Sequence, residues 1–189
     1  VVTARGESRL VKGVRTTYAL AMEAIETSEP LRARVAARGV GKPVDLARAG
    51  KDGRILAPLD HADPAHMLVT GTGLTHLGSA EGRDKMHRAL DDAATLTDSM
   101  KMFKLGLDGG KPKKGEAGVQ PEWFYKGDGS IVAAPGAPLV SPAFALDGGE
   151  EPEIVGLYVI APDGTPRRVG FALGNEFSDH VTERQNYLY

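Results

Sequence analysis

The stretch Gly148–Glu183, GGEEPEIVGLYVIAPDGTPRRVGFALGNEFSDHVTE, decides how the rest of the chain is read. Ile154–Ile160 is rich in β-branched and aromatic residues, and Pro162-Asp163-Gly164-Thr165 is a turn signal. Arg168–Leu173 then reads as the returning strand of a hairpin. Residues i and i+2 of a strand share a side, so Glu151 and Glu153 project into one space. Glu176 lies just past the end of the second strand, and the hairpin brings it back toward that pair. Three carboxylates with no Cys or His among them suit a hard divalent ion, Mg²⁺ or Mn²⁺ rather than Zn²⁺. Read from the residues alone, an acidic turn of this kind is also compatible with a solvated loop.

Composition bounds the alternatives. The chain has 189 residues, 41% hydrophobic and 25% charged, the profile of a globular protein with one sizeable core. A net charge of −2 gives no reason to expect nucleic acid or an anionic membrane as partner. The absence of cysteine excludes a disulfide scaffold and a thiolate zinc site, and fits a cytoplasmic protein. No apolar run approaches the length of a transmembrane helix, and the first residues carry no signal-peptide pattern. The chain does not begin with Met and stops at Asn186-Tyr187-Leu188-Tyr189 without a cap, so it reads as a partial chain.

Outward from the hairpin, the pattern is mixed α and β. Leu10–Gly13 reads as the end of a short strand or a turn. Thr16 or Thr17 caps a helix through Ile25, on which Glu23 is expected to be a solvated residue. Pro30 opens a second helix, Leu31–Arg38, that ends at Gly39. Arg54–Leu59 reads as a short strand, and Met67–Thr70 as another that feeds Gly71-Thr72-Gly73-Leu74-Thr75-His76. As a phosphate cradle that run is weak, since no Lys-Ser/Thr follows it. His76 reads either as an active-site residue or as a turn residue capping the helix expected over 81–96. Helical propensity resumes over 97–107, and the basic loop Gly109–Glu116 reads as solvated. Trp123-Phe124-Tyr125 reads as a strand with core aromatics, followed unusually by a charge, Lys126. A short strand is expected between Ser141 and Gly148, and Ser178-Asp179 is a helix cap.

Four motifs in order resemble the fumarylacetoacetate hydrolase family. They are Glu151-Pro152-Glu153, Asn175-Glu176-Phe177-Ser178, the Pro121…Phe124…Lys126 strand and the Gly136…Pro138-Leu139…Pro142 turn. The resemblance runs from about Ile55 to the end. In the family the last metal position is usually Asp, and Glu176 departs from it by one methylene. Gly71–Ala80 and Gly174–Leu188 resemble its sugar-acid branch, the 2-keto-3-deoxy-pentonate dehydratases.

The resemblance implies an α+β fold, a mixed β-roll whose C-terminal part is missing here. Residues 1–59 would form a small, incomplete N-terminal α/β domain and residues 60–189 the truncated catalytic domain. It implies Mg²⁺ or Mn²⁺ on Glu151, Glu153 and Glu176, and a homodimer for the full-length protein. It implies a small 2-oxo acid as substrate, with no nucleic acid and no membrane partner. Lys126 would face the active site, neutralising a carboxylate, stabilising an enolate or acting as base. Aligned without a gap, His76 takes the place of the family's lid Asp; shifted by one residue, it takes that of the catalytic His. Arg184 and Gln185 would help hold the substrate carboxylate.

The activity implied is dehydration of a 2-keto-3-deoxy-pentonate through a metal-bound enolate, with His76 or Lys126 removing the C3 proton. The alternative is hydrolysis of a C–C bond in an acylpyruvate-like substrate. That needs a His–carboxylate pair, and Glu81 lies five residues beyond His76, about 1.4 helical turns, off the i,i+4 spacing. A decarboxylase, a non-catalytic binding protein and an inactive partial chain are the remaining readings.

Overall fold

The computed structural model describes residues 1–73, 81–82, 85, 98–119 and 123–185. The chain is α+β, built from small antiparallel sheets and helices that fall into two compact units. The first comprises Val1–Pro64 with Ile131–Tyr189, the second Ala65–Ser130. No helix among the described residues is long and apolar enough to cross a membrane.

The first unit opens with three strands, β1 (Val2–Ala4), β2 (Glu7–Val11) and, after two helices, β3 (Val40–Pro43). They form an antiparallel sheet in the order β1-β2-β3. Between β2 and β3 lie α1 (Thr17–Glu26) and α2 (Leu31–Arg38). Thr16 is the N-cap of α1, its hydroxyl accepting from the Ala19 N–H at 3.0 Å. Pro30 is the cap residue of α2 rather than its first helical residue, and Gly39, at φ 71°, ends that helix. A left-handed φ of this kind costs glycine no Cβ clash. A third helix, α3 (Leu46–Lys51), is capped by Asp45, whose carboxylate accepts from the Arg48 N–H at 2.9 Å.

Glu23 departs from the expected solvated face. Its carboxylate takes Arg34 and Arg38 of α2 together, the latter at 2.5 Å, and its side chain is only 20% exposed. The two guanidinium groups hold this carboxyl below its ordinary range. They tie α1 to α2.

The second half of the first unit is a long hairpin, β6 (Gly149–Ile160) and β7 (Pro166–Ser178), whose numbers leave β4 and β5 to the second unit. The turn at 161–165 closes through Gly164 N–H to Ala161 O and Ala161 N–H to Thr165 O. A bulge between Leu157 and Tyr158 leaves Val169 as the extra residue on β7. Val159 is buried with Ala21 of α1 and with Leu59, and Leu157, Val169, Tyr18, Ile25 and Leu31 pack around them. Arg54–Leu59, expected as a strand, pairs with no strand; Leu59 is buried by this side-chain contact instead. Nor is there a strand between Ser141 and Gly148, and Gly149 already belongs to β6. The chain ends its described part with α5 (His180–Gln185).

The second unit holds β4 (Leu68–Thr72), β5 (Trp123–Asp128) and the helix α4 (Asp98–Gly109). β4 and β5 pair antiparallel with a bulge: Val69 faces Gly127 and Thr70 faces Tyr125, so Lys126 is the extra residue. The aromatics of β5 are not core residues. Trp123 and Tyr125 are 60% and 58% exposed. Among the described residues the sheets are one of three strands and two of two strands, and the specific β-roll is not established by them.

Candidate metal centre

The hairpin register builds the site. Glu151 stands directly opposite Glu176, and Glu153 stands opposite Gly174. Glu151, Glu153, Leu157 and Val159 alternate along one face of β6. That face is anchored in the core at its far end and carries the acids at its start. Gly174 puts no side chain across from Glu153, and the place a Cβ would take there is filled by Val155, whose Cγ2 lies 2.6 Å from it. One oxygen from each of Glu151, Glu153 and Glu176 lies within 4.8 Å of the other two. Like charges directly opposed on a ladder are destabilising, so the cluster is an arrangement a cation would relieve. Three carboxylate oxygens match the donor set of Mg²⁺ or Mn²⁺, with water completing the coordination. The three carboxylates could together hold a metal ion.

The sequence reading missed His180 and Asp147 beside the acids. His180 Nε2–H donates to Glu151 Oε1 at 2.8 Å, and Nδ1 lies 3.4 Å from Asp147 Oδ2. A carboxylate only accepts, which fixes the direction of the first bond. That hydrogen bond, with the charges of Glu151 and Asp147, raises the imidazole above its ordinary value against the opposing effect of burial. The Glu151 N–H donates to Asn175 Oδ1 at 3.0 Å. Asp179 caps α5: Oδ1 accepts from the Val181 and Thr182 N–H groups, and Oδ2 accepts from the Thr182 hydroxyl and from the Leu146 N–H at 2.7 Å. These bonds, the Thr182 hydroxyl first, pull its carboxyl down to about 2. Once the register is known, extending it by two residues beyond Gly149↔Ser178 sets Asp147 across from His180, a relation the sequence alone does not give.

Lys126 belongs to the second unit, where its Nζ lies 5.3 Å from the centre of the Phe124 ring. Its chain crosses the face of Gly71, where a Cβ would come within 2.5 Å of Lys126 Cε. Arg184 and Gln185 are exposed on α5, and the Arg184 Nε–H donates to the His180 carbonyl at 3.1 Å. His76 lies outside the described residues, as does its spacing to Glu81.

No family model, no curated protein and no solved structure matches the chain.

Proposed function

We propose that the chain acts as a divalent-cation-dependent lyase that dehydrates a 2-keto-3-deoxy-pentonate. The fold we assign it is the β-roll of the fumarylacetoacetate hydrolase family, the full-length protein a cytoplasmic homodimer. The observation that carries the reading is the convergence of Glu151, Glu153 and Glu176 on one point. It is supported by the four ordered motifs that resemble the family.

A bound Mg²⁺ or Mn²⁺ would supply Lewis acidity to a chelating 2-oxo acid, making its C3–H more acidic. The three glutamates hold that ion. His76 or Lys126 takes the C3 proton, and each such assisted transfer typically contributes about 10²–10⁴-fold. Where His76 is the base, Lys126, a cation on a bulge, offsets negative charge that develops on the substrate. Arg184 and Gln185 are assigned to the substrate carboxylate. The C4 hydroxyl leaves with a proton as water, and proton shifts from C5 to C3 and from oxygen to carbon yield the 2-oxo semialdehyde. One water is lost, and no oxidant or reductant is consumed.

The test is to incubate the chain with Mg²⁺ and a 2-keto-3-deoxy-pentonate and to follow the products by proton NMR. We expect a 2-oxo semialdehyde, dependent on the ion and abolished in Glu153→Gln. Release of pyruvate with a two-carbon aldehyde would instead show C–C cleavage, and no turnover by a cation-loaded chain would contradict the assignment.

A further inference from the structure

We infer that His180 is a positioning residue of this centre, holding the Glu151 carboxylate in the orientation that receives the cation. The inference rests on the cation reading above and adds to it a residue that the three-glutamate pattern does not contain.

The ring is held at both nitrogens, at 2.8 Å by Glu151 Oε1 and at 3.4 Å by Asp147 Oδ2. Rotation about χ2 would give up both contacts. It also lies flush against the backbone of β6: a Cβ on Gly149 would stand 2.1 Å from Cε1 and 2.2 Å from Nδ1. The main chain of His180 is fixed in turn. Asp179 before it caps α5 and binds the Leu146 N–H, and the Arg184 side chain bonds its carbonyl. Glu151 is thereby tied twice, through its N–H to Asn175 and through Oε1 to His180. Among the described residues the hydrogen bond from His180 falls on Oε1, and the second carboxylate oxygen, Oε2, is the one offered to an ion. A glutamate on a strand otherwise has three side-chain torsions to order when a cation binds, and a hydrogen bond already in place reduces that loss. Partners of this kind typically change metal affinity about 10–100-fold when removed. A histidine that merely pinned α5 to the hairpin would affect the metal-free protein and leave affinity alone.

The experiment measures Mn²⁺ affinity by electron paramagnetic resonance of the free ion. It uses the chain, His180→Ala, His180→Gln and Asp147→Ala, with a metal-free melting curve for each. His180→Ala is expected to weaken Mn²⁺ binding about 10–100-fold. His180→Gln, whose amide can donate to the same oxygen, retains most of the affinity. Asp147→Ala, which frees the other ring nitrogen, loses a smaller part in the same direction. Should His180→Ala not melt cooperatively, a weakened Asp147→Ala carries the inference. Unchanged affinity in His180→Ala, or in Asp147→Ala where His180→Ala is unfolded, overturns the role of His180 and leaves the cation site standing. A Gln variant as weak as the Ala variant also overturns it, because ring packing rather than the hydrogen bond is then what matters. A chain that binds no Mn²⁺ overturns the cation reading and this inference with it.

Discussion

At Gly149 the residue scale sets a condition on the site. A Cβ there would meet the His180 ring at 2.1 Å, while at the neighbouring Gly148 the nearest atom, on Phe177, is 3.5 Å away. Gly149→Ala is therefore expected to lower the melting temperature, and Gly148→Ala to leave it nearly unchanged. Calorimetry of the two variants checks this, and equal effects would contradict the close approach. Asp179 sets a condition of another kind. Its carboxyl is pulled from an ordinary 3.8 to about 2 by the Thr182 hydroxyl and three backbone N–H groups. A folded-state value below the unfolded one stabilises the fold above the unfolded value, and the benefit is lost as pH falls through the folded one. The melting temperature should thus drop between about pH 5 and pH 2. Asp179→Asn, which cannot ionise, should narrow its gap to the parent chain over that interval. A gap that stays constant with pH would contradict the assignment. Little of this network was legible in the sequence. Asp179 is recognisable as a cap because capping is local, but His180 meets Asp147 and Glu151 only once the hairpin register is known.

At the scale of elements, the hairpin has two unlike faces. Val159 is 5% exposed against α1, while Leu173 on the opposite face is 89% exposed. Val159→Ala removes two buried methyl-sized groups and should cost about 1–2.5 kcal/mol. Leu173→Gln should stay within about 0.5 kcal/mol. Urea unfolding of both variants decides, and a costly Leu173→Gln would mean that this face is covered. The elements legible in advance are those with local punctuation. Pro30 and Gly39 bracket α2, Pro162–Thr165 turns the hairpin, and Thr16 caps α1. The elements misread depend on distant partners. Arg54–Leu59 has the composition of a strand but pairs with no strand. Glu23 looks like a surface acid until α2 folds back and delivers two arginines to it.

For the whole molecule, the candidate centre depends on both ends of the chain. The unit that holds it joins Val1–Pro64 to Ile131–Tyr189, and Leu59 and Ala21 from the first segment bury Val159 of the second. The carboxylates themselves were legible because they need only strand alternation and one turn. The direct opposition of Glu151 and Glu176 was not, because the expected return strand stopped at Leu173 while β7 continues to Ser178. The central claim is that Glu151, Glu153 and Glu176 hold one divalent cation. The measurement that tests it most directly is the melting temperature of the chain with increasing Mg²⁺ or Mn²⁺, with and without oxalate, beside Glu153→Gln. Binding to the folded state alone should stabilise it by about 2.7 kcal/mol at a hundredfold excess over Kd. The account predicts a shift that rises with the ion, grows with oxalate and vanishes in Glu153→Gln. A cooperatively melting chain whose transition does not move with either ion would contradict it.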